Sequence, residues 1–499
     1  MSKPKFLYGA AVQGIQSFIF QTNALREIAG ASELVERICT EQFKKIVGEF
    51  DENSAIVMAA GNIKYVFKSK EHCHEVVLKF PMQIMEFAPG ISISQAVVEI
   101  QDGEIGKKHI DELERKLRAQ RNRPFRPSNV GLMGVNRSRK TGLPALEEKI
   151  VKGKLAVIDN GTFCKLEVKT KRVLNSFFKE VKEDRIPWEM EDMTNSKSNN
   201  YSWLAVIHAD GNNMGIALQK LAEKTIGTKG EEYVNIFRTF SHALDLSTKE
   251  AARKAYLEVM HSYPINSTDK LPFRPIIIGG DDLTVICRAD LALDFTKYFL
   301  KFFESESLKN FNNLPVKIDF LENGLTACAG IAYIKESYPF HYGYHLAETL
   351  CGEAKKAAKD GLKGDELTPS CLMFHKVQAS FVEDYKEIKI KELRAGDISF
   401  DFGPYYLDIK GKPTVEKLQG FVSQFEDKEG NSIKSHLRQW LTDLHDNKEL
   451  AGQKMNRLIA MGNQDQIKKL GLNVSKGIIN EKSPIYDWLT INSINQGGK

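Results

Sequence analysis

Two adjacent aspartates, Asp281 and Asp282, follow Gly279-Gly280 in the stretch PIIIGGDDLTVIC, residues 275–287. Apolar, β-rich runs on both sides that meet at glycines read as a hairpin, because glycine supplies the positive φ a tight strand reversal needs. Carboxylates side by side at a hairpin tip repel each other unless a cation neutralises them, and a divalent ion with oxygen ligands suits that task. A third acid, Asp210, closes an apolar strand in LAVIHADGNNMG. If that strand neighbours the hairpin, three carboxylates converge at one sheet edge. Such a set can hold one or two Mg²⁺ or Mn²⁺ ions, which bridge nucleotide phosphates and stabilise an in-line displacement.

Other residues fit the same chemistry. Gly279 and Gly280 carry no side chains, so a nucleotide can approach their backbone closely. The turn Gly211-Asn212-Asn213-Met214-Gly215 leads into a helix whose free N–H groups could receive a triphosphate, which makes Gly211 and Asn213 candidate nucleotide contacts. Lys355 and Lys359 stand four residues apart on a closing helix and could reach those phosphates, although lysines at this spacing are common on solvated faces. His208 shares a strand face with Asp210; packing explains a strand histidine as readily as catalysis does.

The elements that must position these residues occur twice. Residues 5–12, 55–58, 64–67 and 91–100 read as strands, with helical stretches over 15–50, broken at Gly30, and over 70–87. Residues 203–209, 276–287 and 325–334 repeat the strand pattern, with helices over 213–260, 291–303 and 342–358. Each copy has the order β-α-β-β-α-β, the ferredoxin-like arrangement, whose first and third strands are central neighbours. The acids belong to the second copy alone: Ala11 stands in the Asp210 slot, and Gly61-Asn62 replaces Asp281-Asp282. Beyond residue 376, VEKLQGFVSQF, SHLRQWLTDLHDN and GQKMNRLIAM show three- and four-residue apolar steps of a helical domain, with Trp440 and Leu444 in its core and His445-Asp446 at its surface. The expected fold class is α+β, two ferredoxin-like domains followed by α-helices.

Between the copies, residues 115–140 carry nine Lys or Arg and no Asp or Glu, with prolines and glycines that suggest a loop or extended arm. Arg121, Arg123, Arg126, Arg137 and Arg139 could grip RNA phosphates while Phe125 stacks on a base; a solvated basic loop is the plainer reading. The chain as a whole, with a formal charge of +5, is no obvious polyanion binder. Seven scattered cysteines without a CxxC pair argue against a disulfide framework or a zinc knuckle, so no zinc is expected. No apolar run has membrane-spanning length and the lysine-rich start lacks a signal core; the expectation is a cytoplasmic protein without a membrane partner.

GIQSFIF and LREIAGASELV in the first copy, ADGNNMG and GGDD in the second, and AGIAYIKESYPFHYGYHLAETLCGEAKKAAK behind them resemble the large subunit of type III CRISPR effector complexes. The resemblance covers most of residues 5–375. It implies two polymerase-like palm domains and synthesis of a cyclic oligoadenylate second messenger from ATP in antiviral defence. Asp210, Asp281 and Asp282 carry over as the catalytic, metal-binding acids. The division it suggests is a degenerate first palm over 1–105, a basic linker and insert over 106–200, the catalytic palm over 201–375 and a helical domain over 376–499. ATP, RNA and other effector subunits are the implied partners, and the oligomeric state is left open. The chain departs from the family in starting directly at the first palm, without an HD nuclease domain, in lacking paired cysteines near RSRKTGLPAL, and in placing Asn212 where related palms are often acidic.

Three rivals remain at this level. A GTP-using GGDEF-type cyclase would need Glu-Phe where the chain has Asp282-Leu283. An enzyme joining ATP to a small acceptor shares the same acids. A non-catalytic RNA-binding scaffold would use the arginine arm, but it leaves three crowded carboxylates without a purpose.

Overall fold

The computed structural model describes residues 4–497 except 102, 124–133, 152–153, 179–180, 197–198, 201, 264–265, 267–268, 380–383, 424–427 and 461–480. Arg126 and Phe125 therefore lie outside the described residues. Strands β1 (Lys5–Gln13), β2 (Ala55–Ala59), β3 (Asn62–Phe67) and β4 (Ser92–Ile100) form an antiparallel sheet in the order β2-β3-β1-β4. Tyr8, Tyr65 and Phe67 pack on one of its faces with Phe43 and Phe80.

Helix α1 (Leu25–Arg37) runs unbroken through Gly30, so the expected break is absent; the chain turns between Phe20 and Ala24 instead. The glycine serves close packing. A Cβ at Gly30 would stand 1.8 Å from the Lys165 carbonyl oxygen, which lies on the insert helix α4 (Asn160–Glu167). Helices α2 (Lys70–Phe87) and α3 (Lys107–Arg121) follow the first-copy pattern. Residues 115–121 of the arginine-rich stretch belong to α3 and are not loop. Leu113 and Leu117, one turn apart, bury against Leu7, Ile56, Val66 and Val98 on the far face of the sheet.

The second sheet repeats this order: β6 (Phe273–Gly279), β7 (Asp282–Arg288), β5 (Trp203–Gly211) and β8 (Ala327–Lys335), extended by β9 (Cys371–Lys376) and β10 (Tyr405–Tyr406). β9 joins β8 in parallel after a crossover through a helix. Helices α5 (Met214–Lys224), α6 (Gly230–Ser262), α7 (Ala289–Phe311) and α8 (Phe340–Lys359) complete the unit. The repeat read in the sequence is thus a repeat of topology.

The 33-residue α6 ties the copies together. Its Tyr233 and Val234 join the cluster beneath the first sheet, and its Ala251, Ala252 and Ala255 are fully buried in the main core. Four helices, Val415–Ser423, Lys428–Asp446, Lys448–Leu458 and Ile485–Asn495, make up most of the C-terminal part. Trp440 is buried there and His445 is exposed. Among the described residues no helix is long and apolar enough to cross a membrane.

Candidate active site

β7 pairs with β5 so that Asp282 stands opposite Asp210, and Gly279 pairs with Asp282 to close a two-residue turn, Gly280-Asp281. Gly280 takes φ 62°, the left-handed conformation that the sequence assigned to a glycine at this tip. The turn releases Asp281 from strict strand alternation. Carboxylate oxygens of Asp210, Asp281 and Asp282 all lie within 4.8 Å of one another, the sole such group of three or more metal-ligating side chains among the described residues.

Gly211 makes that convergence possible. A Cβ there would meet the Asp281 Cβ at 2.8 Å, and the Gly211 amide donates to the Asp281 carbonyl at 3.2 Å. Withdrawal from solvent and the neighbouring Asp210 charge raise the Asp281 pKa to about 6. Asp282 is pushed further, to about 8, by withdrawal from solvent and by both other carboxylates. The part of this shift that comes from like-charge crowding is what a bound cation would cancel. Three mutually repelling carboxylates within ligand reach fit a hard divalent ion.

Lys355 of α8 is the cation already there: its Nζ pairs with the Asp210 carboxylate and donates to the Gly211 carbonyl at 2.8 Å. Lys359, the last residue of that helix, is exposed one turn further along. Asn213 is left-handed at φ 57° and begins α5, but its side chain is engaged elsewhere. Its Oδ1 accepts from the Thr368 amide at 3.0 Å and its Nδ2 donates to the Glu366 carbonyl at 3.4 Å. Asn212 is buried behind the strand ends, donating to Thr326 Oγ1 and to the Thr368 carbonyl. His208 contacts Thr284 Oγ1 through Nδ1 at 3.2 Å and meets the Tyr344 ring edge-on, and burial lowers its pKa.

Beside the acids opens a cavity of about 370 Å³ between the two copies, with Gln16, Glu36 and Ala60 on one wall and His208, Asp282 and Tyr344 on the other. The hairpin tips touch beside it: a Cβ on Gly280 would lie 3.7 Å from the Ala60 Cβ. Gln16 Nε2 donates to Glu348 at 2.7 Å, Phe20 packs on Tyr344 with ring centroids 3.9 Å apart, and Ser32 Oγ bonds the Ile276 carbonyl.

Several contributors were not singled out from sequence. Thr248 in the middle of α6 donates to the Gly280 carbonyl at 2.6 Å, and Asp245, one turn earlier, accepts from the Gly280 amide at 3.4 Å. Glu36 brings a carboxyl to the cavity from the first copy, its pKa raised by burial and by Asp245 and Glu33. Its signal was the one-turn spacing from Ser32 in α1. Arg121, Arg123, Arg137 and Arg139 are exposed in the insert, and none lines this cavity; Arg137 bonds the Gly142 carbonyl.

Residues 203–363 match the family model for Cas10/Cmr2, second palm domain. No curated protein matches the chain. Among solved structures, the Csm1-Csm4 cassette in complex with pppApA aligns at 14% identity and TM-score 0.57, covering 100% of this chain and 70% of that one. The Csm1-Csm4 subcomplex of the type III-A CRISPR-Csm interference complex aligns at 12% identity and TM-score 0.55, and the cassette with cA4 at 13% and 0.51, each over 100% of this chain and 70% of that one. Residues 203–363 are therefore similar to the Cas10/Cmr2 second palm, and the chain shares the overall fold of the Csm1 structures.

Proposed function

We propose that this chain is a metal-dependent nucleotidyltransferase that converts ATP to cyclic oligoadenylate. The observation that carries the reading is the convergence of Asp210, Asp281 and Asp282, the last of which lines a cavity walled by both palms. The solved relatives are described as complexes with ATP, pppApA, cA3 and cA4, ligands that fit such a reaction. Mg²⁺ or Mn²⁺ held by the three acids would supply positive charge for the phosphoryl oxygens.

The residues of the chain do the positioning. Thr248 and Asp245 hold the Gly280 peptide from both sides, so the hairpin tip meets the nucleotide already ordered. Lys355 pairs with Asp210 and orients it, and Gly279 and Gly280 leave room for a phosphate against the backbone. The neutral His208 and the Tyr344 ring form an apolar wall for the base. The 3′-hydroxyl of one ATP attacks the α-phosphorus of another, and pyrophosphate leaves. Lys359, at the end of α8, meets the outgoing pyrophosphate, and the Asn213 amide at the start of α5 faces the same anion.

The parts fit a division into a silent palm over 1–105, an insert over 106–200, a catalytic palm over 201–375 and a helical domain over 376–499. On this reading the chain works with other CRISPR effector subunits, as Csm1 does with Csm4 in the structures above, and Arg121, Arg123, Arg126, Arg137 and Arg139 contact RNA. Incubation with Mn²⁺ and labelled ATP or GTP, with and without RNA, tests the proposal. Cyclic adenylate products support it; GTP consumption alone, or a linear conjugate to a small acceptor, selects a rival.

A further inference from the structure

A second cavity, of about 550 Å³, shares no lining residue with the one beside the acids. It lies in the insert, against the start of α1 and the back of β6. Lys165, Lys169, Lys171 and Arg26 line it, and among the described residues Arg26, Lys169 and Lys171 have no carboxylate at ion-pair distance. Of the two acids on its wall, Glu167 is already paired with Lys149, and Glu183 is exposed.

Behind two lining residues stands Arg274, 1% exposed. Its guanidinium lies over the Trp188 ring at 4.7 Å and donates to Thr170 Oγ1 at 3.3 Å and to the Pro187 carbonyl at 3.4 Å. Its Nε has no partner, and burial lowers its pKa to about 10. No carboxylate is bonded to this buried guanidinium, and the charge of the buried Glu33 only partly offsets the cost of its burial.

The rest of the wall is apolar: Leu174, Phe178, Ile186 and the half-buried Trp188. A small inorganic anion would leave that surface unfilled. Ligand pockets span roughly 300–1,000 Å³, and this cavity falls within that range.

We infer that this insert cavity is a second anion site that binds a nucleoside phosphate, with the phosphate among Arg26, Lys169 and Lys171 and the base on the apolar wall of Leu174, Phe178 and Ile186. It is independent of the proposed cyclase chemistry, because no residue of the acid cluster lines it.

The test uses the full chain carrying Asp281→Ala and Asp282→Ala, in EDTA, with equilibrium binding of radiolabelled ATP. The proposal expects saturable binding that AMP competes and that neither adenosine nor inorganic phosphate alone competes comparably. Adding Arg26→Glu and Lys171→Glu, both exposed positions, weakens binding at least tenfold; the milder Lys169→Gln with Lys171→Gln weakens it severalfold while the melting temperature stays unchanged. Competition by phosphate or by adenosine as strong as by AMP overturns the ligand class. Binding that survives both sets of charge changes, or no binding at all, overturns the site.

Discussion

Asp282 stands directly across the ladder from Asp210, and the equivalent pair in the first palm is Asn62 across from Ala11. The same register on two sheets places carboxylates in one copy and none in the other. Whatever the acids do is thus separated from the scaffold that holds them, and substitutions can address each in turn.

Gly211→Ala tests the close approach. The added methyl would press on Asp281 at 2.8 Å and move its carboxylate away from the other two. A displacement near 1 Å costs about 100-fold in turnover. Nucleotide turnover should therefore fall by that order, while a melting scan shows an intact fold.

Gly30→Ala probes the first palm against the insert. With the Lys165 carbonyl 1.8 Å from the new methyl, α1 and α4 must separate, and overpacking of this kind costs about 3 kcal/mol. Chemical denaturation should report that loss.

Thr248→Val removes the donor to the Gly280 carbonyl. One such hydrogen bond contributes about 1 kcal/mol. Stability should drop by about that amount, and turnover should fall more than KM changes, because the hairpin tip loses its order.

The pH dependence follows from the raised carboxyls. Asp281 and Asp282, at about 6 and about 8, keep protons in the folded state that the unfolded chain has released. Their contribution to stability is therefore greatest below the unfolded carboxylate range near pH 4 and is lost as pH rises through 6 and 8. Without metal, the melting temperature should fall from pH 5 to pH 8.5, and Asp282→Asn should flatten that fall. With Mn²⁺ the decline should shrink, since the ion replaces the protons, and Asp282→Asn should abolish the rescue.

How much of this the sequence carried depended on how local the signal was. Strands and the GGDD hairpin were legible because alternation, glycine and adjacent acids all act within a dozen residues. Gly30 was misread as a break because its reason is the carbonyl of Lys165, far along the chain. Residues 115–121 were read as arm because their charges mask Leu113 and Leu117, which hold α3 on the sheet. The α6 residues Thr248 and Asp245 carry no motif; only the path of that helix brings them to Gly280. The Asn213 side chain is spent on residues 366–368, a role that its place in the turn does not announce.

The most direct measurement is product analysis of labelled ATP incubated with Mn²⁺ and the full chain, with and without RNA, beside the Asp281→Ala, Asp282→Ala variant. Our account predicts pyrophosphate and phosphatase-resistant cyclic oligoadenylate from the wild type and none from the variant. Equal product from both, or no nucleotide consumed by the wild type under either condition, would contradict it.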